Sequence, residues 1–598
     1  MTTKLKFNIQ KDLARNELLS FFGKAVLKDR YLLPNEDYQD LFARVASFYA
    51  KDESHAQRLY DYMSKLWFMP ATPVLSNGGT NRGLPISCFL NESEDSLDSI
   101  AATWMENVWL ASKGGGIGTY WGKVRSIKEK IAQNGESSGI IPFLKVQDSM
   151  TLAISQGSLR RGSSAAYLDI SHPEIEEFID LRRPTGGDPN RRCLNIHHGV
   201  VITDDFMEAV MKNENWNLVS PHDGKILNTV KARDLWMKLL AARVENGEPY
   251  ILFIDHVNKL APKHHQKLGL KVKTSNLCSE ITLPTGLDHL NNTRTAVCCL
   301  SSLNLEYFDE WQDNKEFIYD VMLFLDNVLE DFIARAPKEM ANAKYSAMRE
   351  RSIGLGVMGF HSFLQSKLVP LESASAKAWN NKIFKHINTL AEQASMQLGE
   401  ELGPCPDAID AGSKQRFSNT TAIAPTASIS VIAGNSSPGI EPYAANSFTQ
   451  KTLSGSFTVK NKNLEKLLIA KGFNNEQIWS SISTHEGSVQ HLDFLSDLEK
   501  MVYKTAYELD QNWLIQLAAD RTPYISQSQS LNLFAAGNVE KNTLNKMHIA
   551  AWRLGVKSLY YFRSTSIQQA EKVSHVAKSL KEEVKEEKND DQECLACQ

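Results

Sequence analysis

Three side chains able to do chemistry stand at alternate positions in Ser275-Asn276-Leu277-Cys278-Ser279-Glu280-Ile281: an amide, a thiol and a carboxylate. Side chains of an extended backbone alternate faces, so Asn276, Cys278 and Glu280 would share one side, with Leu277 and Ile281 mostly behind. A thiol buried only for packing needs neither neighbour. A free cysteine can also be a small buried hydrophobe, and spacing alone leaves both readings open. A second thiol arrangement closes the chain. Cys594-Leu595-Ala596-Cys597 follows a highly charged stretch from Glu571 onward that reads as a flexible arm. A dithiol on such an arm suits delivery of reducing equivalents by thiol–disulfide exchange.

These groups need elements to position them. Leu41, Val45, Phe48 and Tyr49, then Leu59, Met63 and Leu66, recur at helical spacing, so residues 1–66 read as helices. Residues 67–83, rich in Pro and Gly, read as a loop leading into a strand over 84–90 that carries Cys88. Cys88 is either a functional thiol or a core strand residue. A helix is expected over 95–110. The cluster Ser112-Lys113-Gly114-Gly115-Gly116-Ile117-Gly118 permits a tight turn or close approach to phosphate, but lacks the Rossmann and P-loop patterns. Residues 133–139 form another loop. The loop over 155–164 joins small residues and Gln156 to the guanidinium groups of Arg160 and Arg161, a combination suited to an anionic ligand or to a solvated turn. A helix and a short apolar strand are expected over 232–260, a strand with Cys298 over 297–305, and long amphipathic helices over 315–336 and 377–402. Residues 421–442 read as a strand, a hydroxyl-rich turn and a helix start, either a phosphate site or a simple N-cap. Residues 460–520 read as mostly helical, and residues 556–563 as a late strand bearing Tyr560 and Tyr561.

Composition bounds the function. The 598 residues are 42% hydrophobic and 23% charged, as in globular proteins, with a net charge of −4 that gives no electrostatic reason to expect nucleic-acid binding. No apolar run reaches the roughly 18 residues of a membrane span, and the N-terminus has no uninterrupted apolar core, so a cytoplasmic enzyme is expected. The eight cysteines are therefore expected to be reduced at rest. No second Cys-x-x-Cys accompanies the terminal one, which argues against zinc.

Several of these stretches occur in one order: Ala71-Thr72-Pro73-Val74-Leu75-Ser76-Asn77-Gly78, Gly115-Gly116-Ile117-Gly118, the Cys278 heptapeptide, Ala424-Pro425-Thr426-Ala427-Ser428-Ile429-Ser430, Leu559-Tyr560-Tyr561, and the Cys-x-x-Cys tail. From about residue 40 onward the set resembles the large, catalytic subunit of class I ribonucleotide reductases. The resemblance implies an α/β fold: a ten-stranded α/β barrel with a central finger loop, preceded by an N-terminal helical domain. In domain terms it implies an N-terminal helical region over 1–85, the barrel over 86–565 with a mostly helical insertion around 450–515, and a redox tail over 566–598. Cys278 would sit at the tip of the finger loop, become a thiyl radical and abstract the ribose 3′-hydrogen. Cys88 and Cys298 would supply two electrons, Glu280 would act as base, and Asn276 would hold the substrate. Thr72, Ser87 and Gly116 match substrate contacts, and Pro425, Thr426, Ala427, Ser428, Ile429 and Ser430 match a diphosphate turn. Tyr560 and Tyr561 match a radical-transfer pair, fed by the metal centre of a separate small subunit, so no cofactor is expected on this chain. Cys594 and Cys597 would re-reduce the cysteine pair and be reset by thioredoxin or glutaredoxin. Asp95, Ser96, Leu97, Ser112 and Arg125 match an effector site for ATP or a deoxynucleotide at a homodimer interface, and the loop with Gln156, Arg160 and Arg161 would relay its signal.

The chain departs from the family pattern in three places. Helices of the core begin almost at once, so no N-terminal ATP-binding cone and no activity site are expected. Ala427 and Ile429 stand where some relatives have polar residues, which shifts phosphate binding to backbone amides, Ser428 and Ser430. A second effector arginine of some relatives corresponds to Ala132. Two other readings compete. An adenosylcobalamin-dependent reductase would share the thiols and the phosphate turn. A non-enzymatic nucleotide sensor on the same barrel would have no use for five thiols.

Overall fold

The computed structural model describes residues 5–86, 88–131, 133, 135–156, 160–161, 163–452 and 455–565. Helices come first: α1 (Phe21–Arg30), α2 (Tyr38–Tyr49) and α3 (Glu53–Ser64). Asp37 and Asp40 form a capping box that starts α2, whose Leu41, Phe42, Val45 and Tyr49 are buried. Tyr49 then donates to Asp331, fastening α2 to a long helix behind the barrel.

The sheet is built from β1 (Phe68–Pro70), β2 (Cys88–Glu92), β3 (Gly116–Tyr120), β4 (Ser163–Asp169), β5 (His197–Ile202), β6 (Tyr250–Phe253), β7 (Ala296–Asn304), β8 (Ile353–Met358), β9 (Leu533–Ala535), β10 (Ser558–Leu559) and β11 (Phe562–Ser564). Strands β2, β3, β4, β5 and β6 run parallel in that order. Their near-continuous burial is what a sheet covered on both faces requires. A second parallel set runs from β7 to β8, then by single bridges to Thr421 and from Ile423 to Gln529, with β9 parallel to β11. The sets meet antiparallel at β7–β2 and at β6–β10, so among the described residues nine strands join in one curled mixed sheet, extended by the single bridges. Two of these junctions carry the thiols and the tyrosines of interest.

The sequence reading of 67–83 as loop is corrected here. Phe68–Pro70 pairs with β7, and a short helix, Thr72–Asn77, follows. Pro70 masks the strand because it lacks an N–H, yet a sheet edge tolerates that loss. Residues 462–509 carry a small separate core around Leu464, Trp479, Ile482 and Tyr503. Among the described residues no helix is long and apolar enough to cross a membrane.

Candidate active site

Cys298 of β7 lies directly opposite Cys88 of β2, and Cys88 is in register with Gly116 of β3. The two thiols and the glycine therefore form one row across three strands. Both cysteines are buried, and the six described cysteines form no disulfide. Burial pushes the Cys298 thiol well above its usual pKa, against a hydrogen bond from Gln527 and with help from the nearby Cys88, Cys299 and Glu280. Cys298 is thus held as a neutral thiol, able to give up hydrogen as well as electrons.

The Cys278 segment is not the extended strand that its alternation suggests. Residues 277–278 form a turn, and Ser279 adopts a left-handed backbone with φ of 66°. The turn is knotted locally: Asn276 Oδ1 accepts from the Ile281 N–H at 3.1 Å, and Ser275 Oγ donates to the Ile281 carbonyl at 2.7 Å. Remote hydroxyls hold it to the barrel wall. Tyr167 of β4 donates to the Asn276 carbonyl at 2.7 Å, Ser530 to the Cys278 carbonyl at 2.6 Å, and Ser558 of β10 to the Ser279 carbonyl at 2.9 Å. Ser530 Oγ also lies 3.2 Å from Glu280 Oε2. Gln527 spans the gap to the dithiol, since its Oε1 accepts from the Thr282 N–H at 3.2 Å and its Nε2 lies 3.5 Å from Cys298 Sγ. The wall must be bare where the loop rests: a Cβ on Gly118 would lie 1.8 Å from the Ser275 carbonyl oxygen. The residue that looked like part of a weak glycine cluster is a seat for the finger loop.

Tyr560 and Tyr561 contact each other with ring centroids 4.3 Å apart, and Tyr250 of β6 packs against both, at 4.8 and 5.2 Å. Tyr560 is buried, whereas Tyr561 is partly exposed and its hydroxyl lies 3.4 Å from His197 Nδ1. Burial and the neighbouring Glu248 push the Tyr250 hydroxyl well above its usual pKa, with smaller contributions from Tyr561 and Cys278. An aromatic cluster thus leads from the surface toward the finger loop. The sequence reading missed Tyr250, Gln527, Ser530 and Tyr167, which come from strands and loops far away in the chain and carry no local signal.

The phosphate-like turn follows directly on the bridged segment of Ile423. Thr426 has a left-handed backbone, and its Oγ1 accepts from the Gly439 N–H at 2.7 Å. It opens a short helix, Ala427–Ile432, on which α1 lies with Gly23 facing the Val431 carbonyl. Ser428, Ile429 and Ser430 are buried while Ala427 is partly exposed, and Ser430 Oγ donates back to the Ala427 carbonyl at 3.4 Å. Ala422, close to Pro425, packs beside Gly354 in the same place as Cys298 Sγ. Thr72 starts its helix beside Leu300, and its Oγ1 is 2.8 Å from Tyr31 Oη. Ser87, Ala132, Cys594 and Cys597 lie outside the described residues.

The candidate effector residues form a separate cluster. Arg125 Nη2 is 2.8 Å from Asp95 Oδ2, and His222, unnoticed in the sequence, lies 3.0 Å from the same carboxylate oxygen. Ser96 caps helix α4 (Leu97–Ser112), while Leu97 is exposed. Ser112 ends that helix, about 22 Å along the axis from Leu97 at 1.5 Å per residue, and donates to the Trp109 carbonyl. One chain therefore does not bring Ser112 to Asp95. The backbones of Gln156 and Arg160 pair in register in a two-residue antiparallel ladder. The one described His/Asp group that could meet at a metal, His289, Asp407 and Asp410, already holds Arg349 between its carboxylates, with Nη2 2.7 Å from Asp407.

Comparison with known proteins gives a consistent picture. A family model described as the ribonucleotide reductase barrel domain matches residues 86–411 and 410–562, and one described as the ribonucleotide reductase all-alpha domain matches residues 17–83. A ribonucleoside-diphosphate reductase large subunit of Invertebrate iridescent virus 3 is 44% identical, over 94% of this chain and 96% of its own. A protein of Frog virus 3, named a putative ribonucleoside-diphosphate reductase large subunit, is 39% identical over the full length of both. The solved structure of the Actinobacillus ureae class Id ribonucleotide reductase alpha subunit superposes with a TM-score of 0.81 at 34% identity, covering 93% of this chain and 98% of that one.

Proposed function

The chain belongs to the ribonucleotide reductase large-subunit family, and from that premise we propose how its residues reduce ribonucleotides to 2′-deoxyribonucleotides. A radical at Cys278 takes the 3′-hydrogen of the ribose, with Glu280 accepting the 3′-hydroxyl proton and Asn276 holding the sugar. The 2′-hydroxyl leaves as water. Cys88 and Cys298 give two electrons and two protons and end as a disulfide, and Cys278 recovers its hydrogen from the 3′ position. The burial of all three thiols shields the radical from side reactions.

The observation that carries this reading is the register of Cys88 opposite Cys298. Directly opposed residues of antiparallel strands have Cα atoms about 4.5–5.5 Å apart, inside the roughly 4.4–6.8 Å span of a disulfide. The pair can therefore oxidise without moving the barrel. The test is one turnover of CDP by the reduced chain with its small subunit and no external reductant, on a form lacking the tail cysteines. Peptide mapping is expected to find the Cys88–Cys298 disulfide, and Cys298→Ser to form no deoxycytidine diphosphate. Recovery of both thiols unchanged after product has formed would overturn the assignment. Turnover with adenosylcobalamin in place of the small subunit would move the chain to the cobalamin class.

As a reductase large subunit the chain works with a small subunit. Tyr561, partly exposed and in tilted ring contact with buried Tyr560, is the proposed entry for the radical, with the small subunit's metal centre as its source. Cys594 and Cys597 are the proposed carriers from thioredoxin or glutaredoxin. Thr72, Gly116, Ser87 and residues 425–430 are the proposed substrate and diphosphate contacts. The Asp95–Arg125 cluster is the proposed effector site, with the loop of Gln156, Arg160 and Arg161 as its relay. A homodimer is supported by the adjacent helices α4 and α5 (Ile140–Ala153), which leave Leu97, Met105, Val146 and Leu152 exposed. Met105→Asp is expected to shift the chain to monomer in sedimentation and to weaken deoxynucleotide binding.

A further inference from the structure

Glu92 ends β2 and has its side chain only 2% exposed. Its carboxylate touches both stems of the finger loop. Lys273 Nζ, on the entering stem, lies 2.9 and 3.0 Å from its two oxygens, and Thr285 Oγ1, on the leaving stem, donates to Oε2 at 2.6 Å. Lys123 Nζ adds a contact at 2.6 Å. Space for this carboxylate is reserved by Gly286, whose φ is +75° and where a Cβ would lie 2.0 Å from Glu92 Oε1. Burial alone would raise the pKa of Glu92, and the Lys273 and Lys123 ammonium groups with the Thr285 hydrogen bond more than offset it, holding the group ionised. Residues 271–285 contain no regular secondary structure, so this neck is where the loop's reach is set.

We propose that Glu92 is a positioning residue for Cys278: it clasps the two stems of the finger loop and, through Lys123, ties that clasp to the effector cluster. The second link follows from the chain path. Lys123 pairs with Glu92 and also with Glu94. The segment of Glu92 continues into Asp95, and the segment of Lys123 continues into Arg125, which pairs with Asp95 at 2.8 Å. Two short segments are thus cross-linked at an inner rung beside the finger loop and at an outer rung among the effector residues. A nucleotide that takes Arg125 or Asp95 as a partner must loosen the outer rung, and Lys123 carries the displacement to the inner one.

The proposal rests on the role assigned to Cys278, and the experiment separates the two. Glu92→Gln and Cys278→Ser are compared in the complex with the small subunit, with CDP as substrate and ATP as effector. Glu92→Gln is expected to lower kcat about 10- to 100-fold with KM for CDP within about twofold, the cost of a reacting group displaced by about 1 Å. Amide exchange over 273–285 should quicken while that of β3 and β4 stays slow, and the ratio of turnover with and without effector should fall toward one. Thr285→Val leaves the ion pairs intact and should give a severalfold loss of kcat with the same local exchange. Wild-type kcat and wild-type exchange in both variants would overturn the clasp, and an unchanged effector ratio in Glu92→Gln would overturn its tie to the effector cluster. An active Cys278→Ser would instead sink the role of Cys278, whatever Glu92 does.

Discussion

Replacing Cys278 with serine is expected to abolish nucleotide reduction while leaving nucleotide binding intact. The side chains are close in volume, and Cys278 is fully buried in a turn held through backbone carbonyls, so the loop keeps its anchors at Tyr167, Ser530 and Ser558. What changes is the bond that must give up and regain a hydrogen atom. An alcohol O–H is far harder to open homolytically than a thiol S–H, and a serine could not carry the radical proposed to arrive through the tyrosine pair. Turnover should fall below about 10⁻⁴ of the wild type, more than about 5 kcal/mol of transition-state stabilisation, with CDP affinity by calorimetry unchanged. Residual activity within about tenfold would mean that Cys278 serves packing.

Gly118→Ala should also be damaging, through packing alone. Its added methyl would lie 1.8 Å from the Ser275 carbonyl oxygen, 2.8 Å from the carbonyl carbon and 3.0 Å from Asn276 Cα. All three are backbone atoms of the finger loop, so no side-chain rotation relieves the clash. Either β3 or the loop must shift. Overpacking of this kind costs about 1–3 kcal/mol, and a catalytic group displaced by about 1 Å loses roughly 10²-fold in rate. The expected result is a fall in kcat of about 100-fold with a drop of a few degrees in Tm. A wild-type kcat would show that the loop tip does not depend on its contact with β3.

Much of this protein is legible in its residues. The ordered motifs name the family, and they single out Cys88, Cys278, Cys298 and the tyrosine pair. The long amphipathic helices also emerge where their periodicity places them, at Phe317–Arg335 and Ala374–Leu402. These features are local: a helix or a short motif carries its own pattern, because neighbours in sequence remain neighbours in space. The shape of the Cys278 segment is not local. Alternating residues suggest an extended strand, whereas hydroxyls from β4, β10 and Ser530 hold a turn with Ser279 left-handed. Nothing in the heptapeptide encodes those partners.

The same division runs through the whole site. Thiols, amide, carboxylate and tyrosines are set by the amino-acid sequence alone, since side-chain chemistry needs no fold to be identified. Which thiol faces which is decided by the antiparallel junction of two parallel strand sets, where the register of β7 on β2 puts Cys298 opposite Cys88. The bare seat at Gly118, the Gln527 bridge and the Glu92 clasp are decided there too. Each depends on contact between segments far apart in the chain, and such contacts exist only once loop closure and burial have brought those segments together.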